Sequence, residues 1–144
     1  MHSLRPPRPT LGLVLVLGFV SGLAACSPTG HPEIVDGVVL LRWGHLEAHP
    51  AGLFSGRLSF RGGCAGVEDD SGGTQVVVWP PSARLDNSTG SLRLVIDGAS
   101  FGDGEALSFG GGEYTDQAWM ATLAGPIPPA CRADRWVLGT DLVE

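Results

Sequence analysis

Residues 94–111 read LVIDGASFGDGEALSFGG, and this stretch decides the fold class of the chain. Apolar side chains alternate at Leu94 and Ile96, and the segment then stops at the turn pair Asp97-Gly98. A second turn, GDG at 102–104, leads into another apolar segment. Alternation with a period of two, interrupted by turn residues, is typical of short β-strands that are joined by tight turns.

Similar segments fill the rest of the chain from residue 34 onward, at 34–43, 54–62, 74–79 and 134–143. The chain contains 22 glycines and 11 prolines, which mark the turns of a β protein. No long window after the N-terminal apolar run has helical periodicity. The sequence therefore predicts an all-β fold, either a small barrel or a sandwich. A barrel of five or six strands in an OB-like arrangement is the leading prediction, and it implies no activity by itself.

The N-terminal 25 residues have the composition of an export signal. Arg5 and Arg8 precede an uncharged, apolar run from Leu11 to Ala25, which is shorter than the ~20 apolar residues of a membrane-spanning helix. The run ends in LAAC at 23–26. This sequence resembles the lipobox of bacterial lipoproteins, in which an aliphatic residue and two small residues precede a cysteine.

The lipobox resemblance implies that a signal peptide, 1–25, is removed and that Cys26 receives acyl chains. Two or three acyl chains hold a protein firmly on a membrane. Residues 26–33 would form a lipidated tether, and residues 34–144 a small β domain. We therefore expect a protein anchored by lipid in the cell envelope, outside the cytoplasm.

The charge of the mature chain restricts its partners. All nine basic residues are arginines, and seven of them remain after residue 25 beside all fifteen acids, which gives a formal charge of −8. Nucleic acid and an anionic membrane surface are both unfavourable direct ligands for so acidic a chain. We expect instead an envelope protein or a glycan as partner, besides the membrane that holds the anchor.

Cys64 and Cys131 remain after Cys26 is assigned to the anchor. In an exported protein, two such cysteines are expected to form a disulfide. They are 67 residues apart, so the bond would stabilise the fold by about 4 kcal/mol. Neither cysteine belongs to a C-x-x-C pair, as a zinc or redox site would require.

Two sequence patterns resemble catalytic or metal motifs. GASFG at 98–102 has the form G-x-S-x-G around Ser100, but no helix pattern follows it and every histidine precedes it, so we interpret it as a turn. HLEAH at 45–49 would place His45, Glu47 and His49 on one face if the segment were a strand. It is the best metal candidate in the chain, whereas Gly44 and Pro50 favour a polar loop.

Acidic and aromatic residues provide weaker candidates. The acidic groups Glu68–Asp70 and Asp97, Asp103 and Glu105 lack the spacing of a calcium loop, and we interpret them as turn residues. Trp79 and Trp136 lie within apolar runs and are expected in the core. Tyr114 and Trp119 lie among polar residues and glycines, and we expect these two to face any ligand.

The sequence contains no complete catalytic set, and we expect no cofactor. It predicts a non-catalytic binding or interaction module. The alternative is an envelope hydrolase or a metal-dependent enzyme that uses acidic residues or the group of His45, Glu47 and His49.

Overall fold

Residues 30–144 are the part of the chain that the computed structural model describes. They contain ten strands, one α-helix and two short 3₁₀ helices, Arg61–Gly63 and Pro129–Cys131. The longer elements are β1 Glu33–Val35, β2 Val38–Arg42, β3 Gly52–Ser59, β4 Gly66–Glu68, β5 Thr74–Trp79, β6 Arg84–Asp86, β7 Arg93–Ile96, β8 Ala99–Gly102, β9 Ala106–Tyr114, α1 Gln117–Ala124 and β10 Trp136–Leu142. The signal peptide and Cys26 lie outside the described residues.

Five strands close into a barrel in the order β3-β4-β5-β10-β9, with β9 returning to β3. The β5–β10 pair is parallel, and the other four pairs are antiparallel. If β3, β4, β5, β9 and β10 are numbered one to five along the chain, the order around the barrel is 1-2-3-5-4-1. The predicted all-β barrel is therefore confirmed, and its strand order is OB-like. A hairpin of β1 and β2 continues the sheet beyond β5.

The closure of the barrel depends on a glycine in β3. A Cβ on Gly56 would collide with the Val67 side chain and would lie 2.6 Å from the Glu68 carbonyl oxygen. Strands β3 and β4 therefore approach each other more closely than a side chain would allow.

Strands β2, β5 and β10 are apolar on both faces because each face packs into a separate core. In β5, Val77 and Trp79 point into the barrel, where they belong to the first core, whereas Val78 points outward. The outward side chains form a second core, which α1 covers through Met120 and Ala124. Burial on both faces explains why these strands read as continuous apolar runs rather than alternating ones.

A small sheet of β6, β7 and β8 contributes to the first core through Leu85, Leu94 and Ile96. Strands β7 and β8 are joined by Asp97 and Gly98, whose φ angles are 48° and 83°. Positive φ at both central residues is the geometry of a two-residue hairpin turn that suits the twist of the strands. The sequence thus predicted this turn correctly.

A disulfide joins Cys64 and Cys131, as predicted, with an S–S distance of 2.06 Å. It links the end of one 3₁₀ helix to the other, and both cysteines are buried in the second core.

Residues 30–33 belong to the predicted tether, and they are the part of it that the structure describes. The Gly30 N–H donates to the Leu123 carbonyl at 2.7 Å, and Glu33 already pairs with Leu40 in the β1–β2 hairpin. The described part of the predicted tether is therefore packed against the domain. No helix within residues 30–144 is long and apolar enough to cross a membrane.

Candidate binding surfaces

A groove of about 860 Å³ opens beside the first residues of β9. Its apolar lining includes Phe101 from β8, Leu107 from β9 and Leu142 from β10. Carboxylates from three separate segments also line it: Asp70, Asp97, and Asp141 with Glu144. One cation, Arg57, also lines the groove, so its charge is negative. We call this feature the acidic groove.

Hydrogen bonds fix the walls of the acidic groove. The Val143 N–H donates to the Ser108 carbonyl at 3.0 Å, and the hydroxyls of Ser55 and Ser108 lie 2.8 Å apart across β3 and β9. Arg57 donates to the Gly104 carbonyl at 3.2 Å, so its guanidinium is partly engaged with its own domain. A lining that combines apolar side chains with carboxylates suits a ligand that carries both cationic and apolar groups.

The sequence did not indicate the acidic groove because its residues come from distant segments. Asp97 was grouped with Asp103 and Glu105, and the structure separates their roles. Asp103 accepts the Phe60 N–H at 3.1 Å, and Glu105 accepts the Gly102 N–H at 2.7 Å. Asp103 and Glu105 therefore hold the turn between β8 and β9, while Asp97 lines the groove.

Tyr114 and Trp119 form an aromatic pair at the other end of β9. Their ring centroids are 4.7 Å apart, with the planes inclined at 45°. Asp116 caps α1 by accepting the Trp119 N–H at 3.0 Å, which fixes the position of this first turn. Tyr114 packs against the second core, and Trp119 is 37% exposed. The structure thus brings the two predicted aromatic residues together, roughly 25 Å along β9 from the acidic groove.

The segment with His45, Glu47 and His49 is a loop and not a strand. All three side chains are exposed, while Leu46 between them is buried in the second core. The His49 ring packs edge-on against Trp43, with centroids 5.9 Å apart. Within residues 30–144, no three His, Cys, Asp or Glu side chains are placed to hold a metal ion.

Ser100 lies on β8, so the interpretation of GASFG as a turn is wrong beyond Gly98. Its hydroxyl accepts a hydrogen bond from Arg93 Nε at 2.6 Å, and Arg93 also contacts Glu105 at 3.3 Å. A permanently charged guanidinium cannot take up the serine proton as a histidine base does. The hydroxyl therefore holds a structural arginine in place.

The acidic turn after β4 is organised around Asp69. Its Oδ1 accepts hydrogen bonds from the Ser71 hydroxyl at 2.5 Å and from the N–H groups of Ser71 and Gly73 at 2.9 and 3.0 Å. The Ser71 hydroxyl and then the Gly73 N–H lower the pKa of Asp69 below its ordinary 3.8. Asp86 has the same role before Ser88, whose N–H lowers the Asp86 pKa.

No protein-family model matches this chain, and no curated protein and no solved structure shows significant similarity to it.

Proposed function

We propose that this protein is anchored by lipid at Cys26 in a bacterial cell envelope, and that its β domain is a non-catalytic binding module. The acidic groove is the observation that carries the binding role. We further propose that it binds a polypeptide segment with arginine or lysine beside apolar residues, because its lining contains apolar side chains and four carboxylates against a single arginine.

The anchor rests on the lipobox resemblance at 23–26. The Cys64–Cys131 disulfide supports an exported location, since such bonds form and persist in oxidising compartments. Of the three cysteines in the sequence, Cys26 is the one that does not belong to this disulfide, which suits its assignment to the lipid.

A non-catalytic role is supported by the contacts of the candidate catalytic groups. Ser100 accepts from Arg93, and Asp69 accepts backbone N–H groups in its turn. A general acid would need a carboxyl pKa that is raised, whereas the pKa of Asp69 is lowered.

The barrel itself argues against nucleic acid as the ligand. OB-like barrels bind oligonucleotides across the face of their second and third strands, which correspond here to β4 and β5. The outer side chains Val76 and Val78 of β5 pack in the second core beside α1. This covered strand and the negative charge of the chain both support a different ligand.

The binding role is tested with a fluorescein-labelled peptide of alternating arginine and leucine, titrated into the full-length protein in a non-ionic detergent. Anisotropy should report saturable binding that weakens as salt is added. In the double variant Asp97→Asn and Asp141→Asn, affinity should fall by about 2- to 30-fold, since each exposed charge contributes roughly 0.2–1 kcal/mol.

The matched control for this titration is Glu47→Gln, which removes one exposed carboxylate from a loop that does not line the groove. Its affinity should equal that of the wild type. Because all three proteins are titrated in the same detergent, association of the peptide with micelles contributes equally to each measurement. Equal affinity in the double variant and the wild type would refute the groove as the site.

The anchor is tested by the intact mass of the protein extracted from its own envelope. A mass that begins at Cys26 and includes two or three acyl chains would support the proposal. A chain that begins elsewhere without lipid would refute it. Stoichiometric metal in the same sample would favour the enzymatic alternative.

A further inference from the structure

The chain joins the domain at a fixed point beside the C-terminal end of α1. The Leu123 carbonyl accepts the N–H groups of Gly30 at 2.7 Å and of Gly44 at 3.1 Å. A Cβ on Gly30 would collide with the Arg42 carbonyl oxygen and would lie 2.6 Å from its carbon. The backbone of Gly30 therefore packs directly against the end of β2, and its hydrogen bond to Leu123 fixes its position relative to α1.

The connection from this point to the anchor is short. Cys26 precedes Gly30 by four residues, which span at most about 14 Å when fully extended. An acylated Cys26 lies at the membrane surface, so the C-terminal end of α1 must lie within about 14 Å of that surface. The tether therefore keeps this end of the domain near the membrane surface.

One chain segment beside this point is uncharged. Residues 117–130, which include α1 and the start of the second 3₁₀ helix, contain no charged residue in a chain with fifteen acids. Its exposed residues are Gln117, Ala118, Trp119, Thr122, Pro126, Pro129 and Ala130. We call these residues the uncharged face.

We propose that the uncharged face is seated on the lipid surface, with the Trp119 ring at the level of the headgroups. This inference rests on the proposed anchor at Cys26. Tryptophan favours that interface because its ring is apolar and its N–H is polar. A face without carboxylates also avoids the repulsion that anionic lipids exert on an acidic protein. The acidic groove, at the opposite end of β9, then faces away from the membrane.

The orientation is tested by fluorescence quenching in vesicles of brominated phosphatidylcholine, with the full acylated protein reconstituted. The side chains of Trp79 and Trp136 are buried, at 0% and 1% exposure. Trp43 is partly buried against the second core, and its Nε1–H donates to the Gly139 carbonyl at 2.7 Å. Bromine in the lipid should therefore act mainly on Trp119. The wild type should be quenched relative to vesicles of unbrominated lipid. The variant Trp119→Phe should lose most of this quenching.

A matched control carries its tryptophan at the far end of β9. The double variant Trp119→Phe and Val143→Trp places an exposed ring beside the acidic groove, where Val143 is 47% exposed. It should show no more quenching than Trp119→Phe alone. Equal quenching of Trp119→Phe and wild type, or strong quenching of the control, would overturn the orientation.

The mass of each preparation separates the two proposals. Acylated protein without Trp119 quenching refutes the orientation and leaves the anchor standing. Protein that carries no acyl chain refutes the anchor and the orientation together. Protection of Trp119 from aqueous iodide in native envelopes, without quenching by brominated lipid, would assign the face to a protein partner and would also overturn the proposal.

Discussion

Replacing Cys64 and Cys131 together by alanine should lower the free energy of unfolding by about 4–5 kcal/mol. The disulfide closes a loop of 67 residues, and the chain-entropy model assigns about 4 kcal/mol to such a loop at 25 °C. Both cysteines are buried, at 5% and 0% exposure. Loss of the sulfur atoms from the second core adds on the order of 1 kcal/mol. Since small domains have ~5–15 kcal/mol in total, this is a large share.

Urea unfolding followed by tryptophan fluorescence measures the effect, because the buried rings of Trp79 and Trp136 become exposed on unfolding. The slope of free energy against urea should increase in the variant, since an unfolded chain without the crosslink exposes more surface. Wild type in reductant should approach the stability of the variant. A loss below about 1 kcal/mol with an unchanged slope would refute the reasoning, because the crosslink would then not constrain the unfolded chain.

Two further predictions concern β3 and the turn after β4. Gly56→Ala should destabilise the domain by ~1–3 kcal/mol, because the new methyl group would overlap β4. The control is Gly73→Ala, whose methyl group would meet only side-chain atoms at 3.3 Å or more and should lower the free energy of unfolding by less. Equal losses in the two variants would contradict the argument that β3 and β4 need a glycine at residue 56. Asp69 has a lowered pKa in the folded state, so its contribution to stability is present above the pKa of the unfolded chain and is lost as pH falls through the folded pKa. As pH is lowered from 5, the free energy of unfolding measured by urea titration should therefore fall less in Asp69→Asn than in the wild type. Parallel pH profiles of the two proteins would contradict a stabilising role of the Asp69 carboxylate.

Turn chemistry could be recognised from the sequence at one hairpin and was overlooked at another. Asp97-Gly98 was predicted as a turn, whereas residues 34–43 were interpreted as one β-rich segment. The structure divides that segment at Asp36-Gly37, where φ is 52° and 75°, into β1 and β2. The two pairs have the same residues and the same geometry, so the same rule would have found both.

The helix α1 was missed because its periodicity is weak. Only Met120 and Ala124 are buried in it, and the exposed positions include alanine and tryptophan rather than charged residues. Its boundaries were nevertheless marked, by Asp116 as the N-terminal cap and by Gly125 after the last residue. The acidic groove could not be found in this way, because only the closed barrel brings β8, β9 and the end of β10 together.

The second core links the fold to the proposed function. The outer face of β5, which an OB-like barrel would offer to a ligand, is covered here by α1 and by the disulfide-linked 3₁₀ helices. The same helix carries the uncharged face and holds Gly30 next to the predicted anchor. If the membrane lies on that side, a partner outside the bilayer can approach the opposite end of the barrel, where Leu107 and Leu142 line the acidic groove. Suppose that the protein is acylated and that the groove variants bind the arginine–leucine peptide as the wild type does. The acidic groove would then not be the binding site, whereas the proposed anchor would be unaffected.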